Sequence, residues 1–218
     1  MADTALPWRR ALTHAAGQPI ILGSASPRRR ELLSRAGVEF EAVVSDSPEA
    51  EAFASEPPDE YARRSACQKA TCVAALRPER LVLGADTVVA VAGTILGKPT
   101  DEADAAAMLR LLRGRDHEVH TGCAFALSID GREPPHLLTT FVVTTQVAFR
   151  AYTDDDIAAY VATGEPLDKA GAYGIQGLGG NLVAEVRGSY DNVVGLPVAE
   201  VVAALHELRG LAEPGGHS

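Results

Sequence analysis

The chain has 218 residues, 46% hydrophobic and 22% charged, which is enough apolar material to bury a substantial core in one domain. Its 20 Lys plus Arg against 29 Asp plus Glu leave a formal charge of -9, which excludes a general nucleic-acid coat or attraction to anionic lipid but leaves room for a local basic cluster around a small anion. Three cysteines, Cys67, Cys72 and Cys123, contain no Cys-x-x-Cys pair, so they fit neither a disulfide framework nor a tetrahedral zinc site and point to a reducing cytoplasm.

Residues 1–18 read as an N-terminal extension, because Trp8, Arg9 and Arg10 are followed by no apolar run of signal-peptide length. Pro19-Ile20-Ile21-Leu22 predicts a short strand, and Gly23-Ser24-Ala25-Ser26-Pro27 a turn. The next segment carries Leu32 and Leu33 among good helix formers. Ser26 suits its N-cap and Pro27 its first position, where a missing N–H has no helical partner to lose. Residues 40–44 predict a second strand. Residues 46–58 are acidic and turn-rich, and 59–76 are Ala-rich with the polar spacing of an amphipathic helix that carries Lys69.

Residues 81–92 are β-branched and nearly all apolar, which suits a strand buried on both faces. The apolar stretch 81–96 is interrupted by Asp86 and by glycines, and it falls short of the roughly 20 residues that span a bilayer. Thr100 is expected to cap a helix over 101–113 that has acidic residues in its first turn and Gly114 just past its end. Residues 117–129 and 137–151, rich in Val, Thr and Phe and separated by the turn-forming 130–135, predict an antiparallel pair. Thr153 and Asp156 form a capping-box pattern for a helix that Gly164 stops, and a last helix over 197–209 closes at Gly210. The expected organisation is one domain over 19–210 with a flexible tail over 211–218. Strands and helices alternate early and two long strands follow, so the fold class is α/β with a mixed sheet flanked by helices.

Several residues carry chemistry. Arg28, Arg29 and Arg30 fall in the first turn of a helix, where free N–H groups disfavour cations by about 0.3–1 kcal/mol each. An anion reverses that sign, since a phosphate chain can take charge-assisted hydrogen bonds from the turn, Ser26 and the guanidiniums; the alternative is a solvated basic face. Asp86 sits inside an apolar strand, so it needs a metal, a cation or a hydrogen-bond network, or else a turn between two short strands. It is a candidate metal ligand or general base, with Lys98 nearby in sequence. Gly97-Lys98-Pro99 is no phosphate loop, because Gly93 is one position too close and Pro99 stands where Ser or Thr is required.

Residues 168–180 are dense in glycine, as expected of a loop that approaches a ligand closely, but their spacing is not the dinucleotide fingerprint. Within that loop Gln176 has an amide able to read a base edge. His117 and His120 lack zinc-protease spacing and alternate to different faces of a strand, which makes them core or surface histidines. The absence of a Gly-x-Ser-x-Gly elbow argues against a serine hydrolase, and Cys123 reads as a small core residue.

Taken together, Ser24-Ala25-Ser26-Pro27-Arg28-Arg29-Arg30-Glu31-Leu32-Leu33, Leu83-Gly84-Ala85-Asp86-Thr87-Val88 with Gly97-Lys98-Pro99, and Gly188-Ser189-Tyr190-Asp191-Asn192-Val193-Val194-Gly195-Leu196-Pro197 resemble the Maf family of nucleoside triphosphate pyrophosphatases over about residues 19–209. The resemblance implies an extended mixed sheet with a substrate cleft, as in Maf and inosine triphosphatase-like proteins. It implies hydrolysis of a nucleoside triphosphate to its monophosphate and pyrophosphate with Mg²⁺ or Mn²⁺, and a cytoplasmic homodimer with no stable nucleic-acid or membrane partner.

Carried over by motif, Ser26, Arg28 and Arg29 would hold the triphosphate, Lys69 and Lys98 would neutralise it, and Asp86 would accept the proton. Glu49 and Asp86 would be the metal-side carboxylates. The stretch from Glu165 to Gly177 resembles the dTTP/UTP branch of the family, which makes Arg28, Thr87 and Gln176 the specificity positions. Gly23 stands where family members more often have Ala. Two alternatives stay beside this reading: the same chemistry on 7-methyl-GTP, and a non-catalytic, nucleotide-sensing regulator of septum formation.

Overall fold

The strands of the protein, seen here in a computed structural model that describes residues 7–44 and 51–212, build one mixed sheet. They are β1 (Ile20–Leu22), β2 (Phe40–Ala42), β3 (Leu81–Val91), β4 (Thr94–Leu96), β5 (Asp116–Leu127), β6 (His136–Phe149) and β7 (Val183–Arg187). Their order is β2-β1-β3-β5-β6-β7, with β4 paired to β3. β1 runs parallel to both β2 and β3, whereas β3, β5, β6 and β7 are successively antiparallel. The α/β class and the long antiparallel pair are as the sequence predicts.

Helices cover both faces. One face carries α3 (Pro58–Leu76), whose Ala62, Ala66, Ala70 and Ala74 recur every fourth residue and therefore form one stripe. With Val73 that stripe packs on Ile21, Val82, Ala124 and Ala126. Small side chains let the backbones meet closely. A Cβ at Gly84 would stand 2.5 Å from both the carbonyl oxygen of Ala66 and the nitrogen of Ala70, and one at Gly122 would run into the Ala62 carbonyl. Only glycine fits at these two sheet positions.

The opposite face holds α1 (Pro7–Ala16), α2 (Pro27–Arg35), α6 (Tyr190–Val194) and α7 (Val198–Ala212) around Leu12, Leu33, Leu83 and Phe125, all fully buried. Each such side chain is worth roughly 1.5–3 kcal/mol of transfer free energy. Farther along the same face, α4 (Glu102–Leu112) and α5 (Asp154–Val161) enclose Val89, Val119, Val147 and Phe149.

Several local features match expectation. Ser26 caps α2 and accepts from the Arg29 N–H, Pro27 opens that helix, and Thr153 with Asp156 makes a complete capping box on α5. Others differ. The segment expected as an N-terminal extension carries α1, which buries Leu12 and is tied to α7 by a hydrogen bond from Thr13 Oγ1 to the Ala212 carbonyl at 3.1 Å. Asp101, not Thr100, is the N-cap of α4: its carboxylate accepts from the Asp104 N–H, while Thr100 one residue earlier donates to the Asp104 side chain. The second strand ends at Ala42 rather than 44.

His117 and His120 are both core residues, bonded to the hydroxyls of Tyr173 and Thr144. Burial pushes the Cys123 thiol up to about 12, which fits an inert filler. Among the described residues no helix is long and apolar enough to cross a membrane.

Candidate active site

β1 pairs with β3 only as far as Leu22 opposite Leu83, and β4 takes over at Leu96 opposite Val89. Between those contacts the run from Gly84 to Val88 has β5 on one side and a cleft of about 860 Å³ at its other edge. The cleft is bounded by the β1–α2 turn, α3, the loop after β4 and the glycine-rich loop after α5. It collects Ser26, Arg28, Arg29, Lys69, Asp86, Thr87, Lys98 and Gln176, although these residues come from five separate stretches of sequence. Glu49 lies outside the described residues. Arg30 is exposed and is not part of the lining.

Strand alternation divides the labour at the centre. Val82, Gly84 and Asp86 face α3, and there Lys69 Nζ donates to Asp86 Oδ1 at 2.5 Å, with both side chains largely shielded at 18% and 17% exposure. Thr87 faces the other way, toward α2. Its hydroxyl accepts from Arg29 Nη2 at 3.0 Å and lies 2.9 Å from the Thr121 hydroxyl. Asp86 therefore has the cation that a carboxylate in an apolar strand requires.

Arg29 is built into the wall. Its Nε donates to the Gly195 carbonyl at 2.8 Å and its Nη1 to Ser24 Oγ at 3.2 Å, so with Thr87 the guanidinium joins three chain segments. Burial lowers its pKa, opposed by the Asp86 carboxylate. The Gly188–Pro197 motif explains where Gly195 comes from. Ser189 caps α6, and the fully buried Asn192 donates its amide to the Val119 carbonyl and to Thr145 Oγ1, both at 3.0 Å. Thr121 donates in turn to the Asn192 carbonyl. Arg28 instead stands at the rim, 3.9 Å from Asp168 across the cleft.

Three lining residues had no role assigned from sequence. Ser24 holds both Arg29 and the Ser26 N–H. Lys169 binds Asp168 and the Glu165 carbonyl. Glu165 accepts from the Tyr160 hydroxyl at 2.9 Å and from the N–H groups of Leu178 and Gly179 at 3.0 and 3.1 Å. Burial opposes ionisation of Glu165, but these donors outweigh it and hold its carboxyl below the usual range. A carboxylate at the head of a glycine-rich run was the available signal, since free backbone N–H groups in such loops invite an acceptor.

The donor chemistry fits a hard divalent cation. The described lining offers hydroxyls and the carboxylates of Asp86, Glu165 and Asp168, the last two engaged by Tyr160, Lys169 and backbone N–H groups, and neither His nor Cys. Magnesium is commonly held by one or two carboxylates with the remaining positions left to water and substrate phosphates. Among the described residues no group of three or more His, Cys, Asp or Glu could hold a metal by itself.

A family model described as Maf-like protein matches residues 19–208. The protein named dTTP/UTP pyrophosphatase in Geobacter sulfurreducens is 52% identical over 192 residues, covering 88% of this chain and 97% of that one. The same name belongs to a Nitratidesulfovibrio vulgaris protein, 50% identical over 190 residues with 87% and 88% covered. A dTTP/UTP pyrophosphatase of Syntrophus aciditrophicus is 45% identical over 198 residues, with 91% and 94% covered.

Proposed function

The chain belongs to the Maf family, and from that premise we propose that it hydrolyses dTTP and UTP to their monophosphates and pyrophosphate. The observation that carries the reading is the Lys69–Asp86 pair inside a cleft rimmed by Arg28 and Lys98. A carboxylate beside several cations suits an anionic substrate whose reaction releases a proton.

In this reading Ser26, Arg28 and Arg29 bind the triphosphate, and Lys69 and Lys98 neutralise it, because phosphoryl chemistry is mainly positioning and charge stabilisation. Asp86 accepts the proton of the water that attacks the α-phosphorus. The new bond is from water oxygen to the α-phosphorus; the bond to the oxygen bridging the α- and β-phosphorus breaks, and its electrons leave with pyrophosphate. Asp86, with Glu49 as second carboxylate, would hold Mg²⁺ or Mn²⁺. When bound, the cation supplies charge neutralisation for the phosphates and the leaving pyrophosphate.

Gln176 reads the base edge, Arg28 acts at the rim, and Thr87 acts through the arginine network. A homodimer and a cytoplasmic setting belong to the same proposal; the free thiols suit a reducing compartment.

The test is pyrophosphate release from dTTP, UTP, CTP, ATP, GTP and 7-methyl-GTP with Mg²⁺ or Mn²⁺, for the wild type and for Gln176→Ala. Preference for dTTP and UTP that collapses in the variant supports the reading. Preference for 7-methyl-GTP refutes the substrate, and silence on every nucleotide refutes the activity.

A further inference from the structure

The glycine-rich loop after α5 is fastened from below by one side chain. Glu165 Oε1 accepts from the Gly179 N–H at 3.1 Å and from the Tyr160 hydroxyl at 2.9 Å, and Oε2 accepts from the Leu178 N–H at 3.0 Å. The Tyr160 oxygen accepts in its turn from the Gly174 N–H at 3.2 Å. Both flanks of the loop, Gly174 on one side and Leu178–Gly179 on the other, thus end on one carboxylate. Gln176 lies between those flanks and is exposed into the cleft.

The glycines follow from this arrangement. A Cβ at Gly177 would strike the Glu165 carboxylate, and one at Gly179 would strike the Tyr160 hydroxyl. The loop is free of side chains where the carboxylate and the phenol must press against it.

We propose that Glu165 is the positioning residue that sets base selectivity, by fixing the height and angle at which the Gln176 amide meets the base; this rests on the reading of Gln176 as base reader. A base edge is read through hydrogen bonds that tolerate little displacement, so freeing either flank of the loop weakens recognition of the base without touching the phosphate half of the cleft. Tyr160 acts through Glu165, as the relay to Gly174.

The experiment uses the full chain as wild type, Glu165→Gln and Tyr160→Phe. KM and kcat are measured for dTTP, UTP, CTP and GTP, and inorganic triphosphate serves as a base-free competitive inhibitor. Glu165→Gln is expected to raise KM for dTTP and UTP about tenfold, the size of one lost hydrogen bond to a charged acceptor, with a smaller change in kcat. The dTTP-to-CTP ratio of kcat/KM narrows, and inhibition by triphosphate stays as in the wild type. Tyr160→Phe moves in the same direction by less, and it decides the matter if Glu165→Gln does not fold.

An unchanged dTTP-to-CTP ratio of kcat/KM in both variants overturns the proposal. So does an equal loss on every nucleotide and on triphosphate, which is what general damage to the fold produces. If the wild type prefers nucleotides other than dTTP and UTP, the substrate reading fails separately, and the ranking among the nucleotides it accepts still tests Glu165.

Discussion

Lys69 and Asp86 meet at 2.5 Å because the helix that carries one and the strand that carries the other touch backbone to backbone at Gly84. The alanine stripe of α3 lies on that glycine and on Gly122 beside it in β5. The distance between the two charges is thus set by the thickness of an apolar seam.

Gly84→Ala tests this. Its methyl would stand 2.5 Å from backbone atoms of Ala66 and Ala70, which cannot rotate away. Overpacking of this kind is expected to lower stability by about 1–3 kcal/mol, and α3 must lift and withdraw Lys69. A thermal melt and a dTTP turnover assay on the same sample should both show a loss. Full turnover in a variant with a lowered Tm would separate the seam from the charge pair.

Asp86→Asn keeps the size of the side chain and an oxygen for Lys69 to donate to, but it cannot take a proton. Turnover is expected to fall by about 10²–10⁴-fold, with dTTP still bound in a calorimetric titration. Near-complete turnover would remove Asp86 from the role of base.

Arg28 and Arg29, adjacent in sequence, should respond differently. Arg29→Lys replaces a fork that reaches Gly195, Ser24 and Thr87 with a single ammonium. A loss of about 1–3 kcal/mol in urea unfolding is expected from the unpaired groups left behind. Arg28→Lys at the rim should leave unfolding unchanged and raise KM for dTTP by about three- to tenfold through the lost bidentate contact. Identical behaviour of the two variants would contradict the division seen in the structure.

His117 predicts an acid sensitivity. Burial among Phe149 and Tyr173 depresses its pKa from 6.5 to about 4. The unfolded chain therefore binds a proton below pH 6.5 that the folded chain refuses until about pH 4. This contribution to stability is complete above pH 6.5 and is lost as pH falls through about 4, amounting to about 3 kcal/mol over the window. His120 is shifted the same way by burial. Urea midpoints at pH 7.5, 5.5 and 4.5 should fall steeply for the wild type and less steeply for His117→Gln; parallel curves would exclude His117 as the source.

The sequence is legible where short-range chemistry decides. Ser26 with Pro27 and Thr153 with Asp156 announce helix starts because a cap needs only neighbours, and the Val-, Thr- and Phe-rich runs of β5 and β6 announce strands. It is silent where distant packing decides. α1 has an apolar face of Trp8, Ala11, Leu12 and Ala15, but that face is held by α7 at the far end of the chain; α6 has five residues, too few to show a period; and β7 is an edge strand with no fully buried position.

The cleft follows the same rule. Asp86 stands out in sequence as a carboxylate among apolar residues, but its partner lies 17 positions away on a helix whose approach depends on two glycines. Glu165 was marked in sequence only by its place at the head of a glycine-rich run; which N–H groups it holds, those of Leu178 and Gly179, is decided by how the loop folds back.

β3 and β5 run in unbroken register from Leu81 opposite Leu127 to Ala90 opposite Glu118. Asp86 and Thr87 are consecutive on that ladder, so a slip of one residue would turn the carboxylate toward Arg29 and the hydroxyl toward Lys69. A chain misaligned here therefore presents Asp86 and Thr87 to the wrong faces of the sheet, away from Lys69 and Arg29. Turnover regained during refolding is therefore expected to report the alignment of β3 with β5.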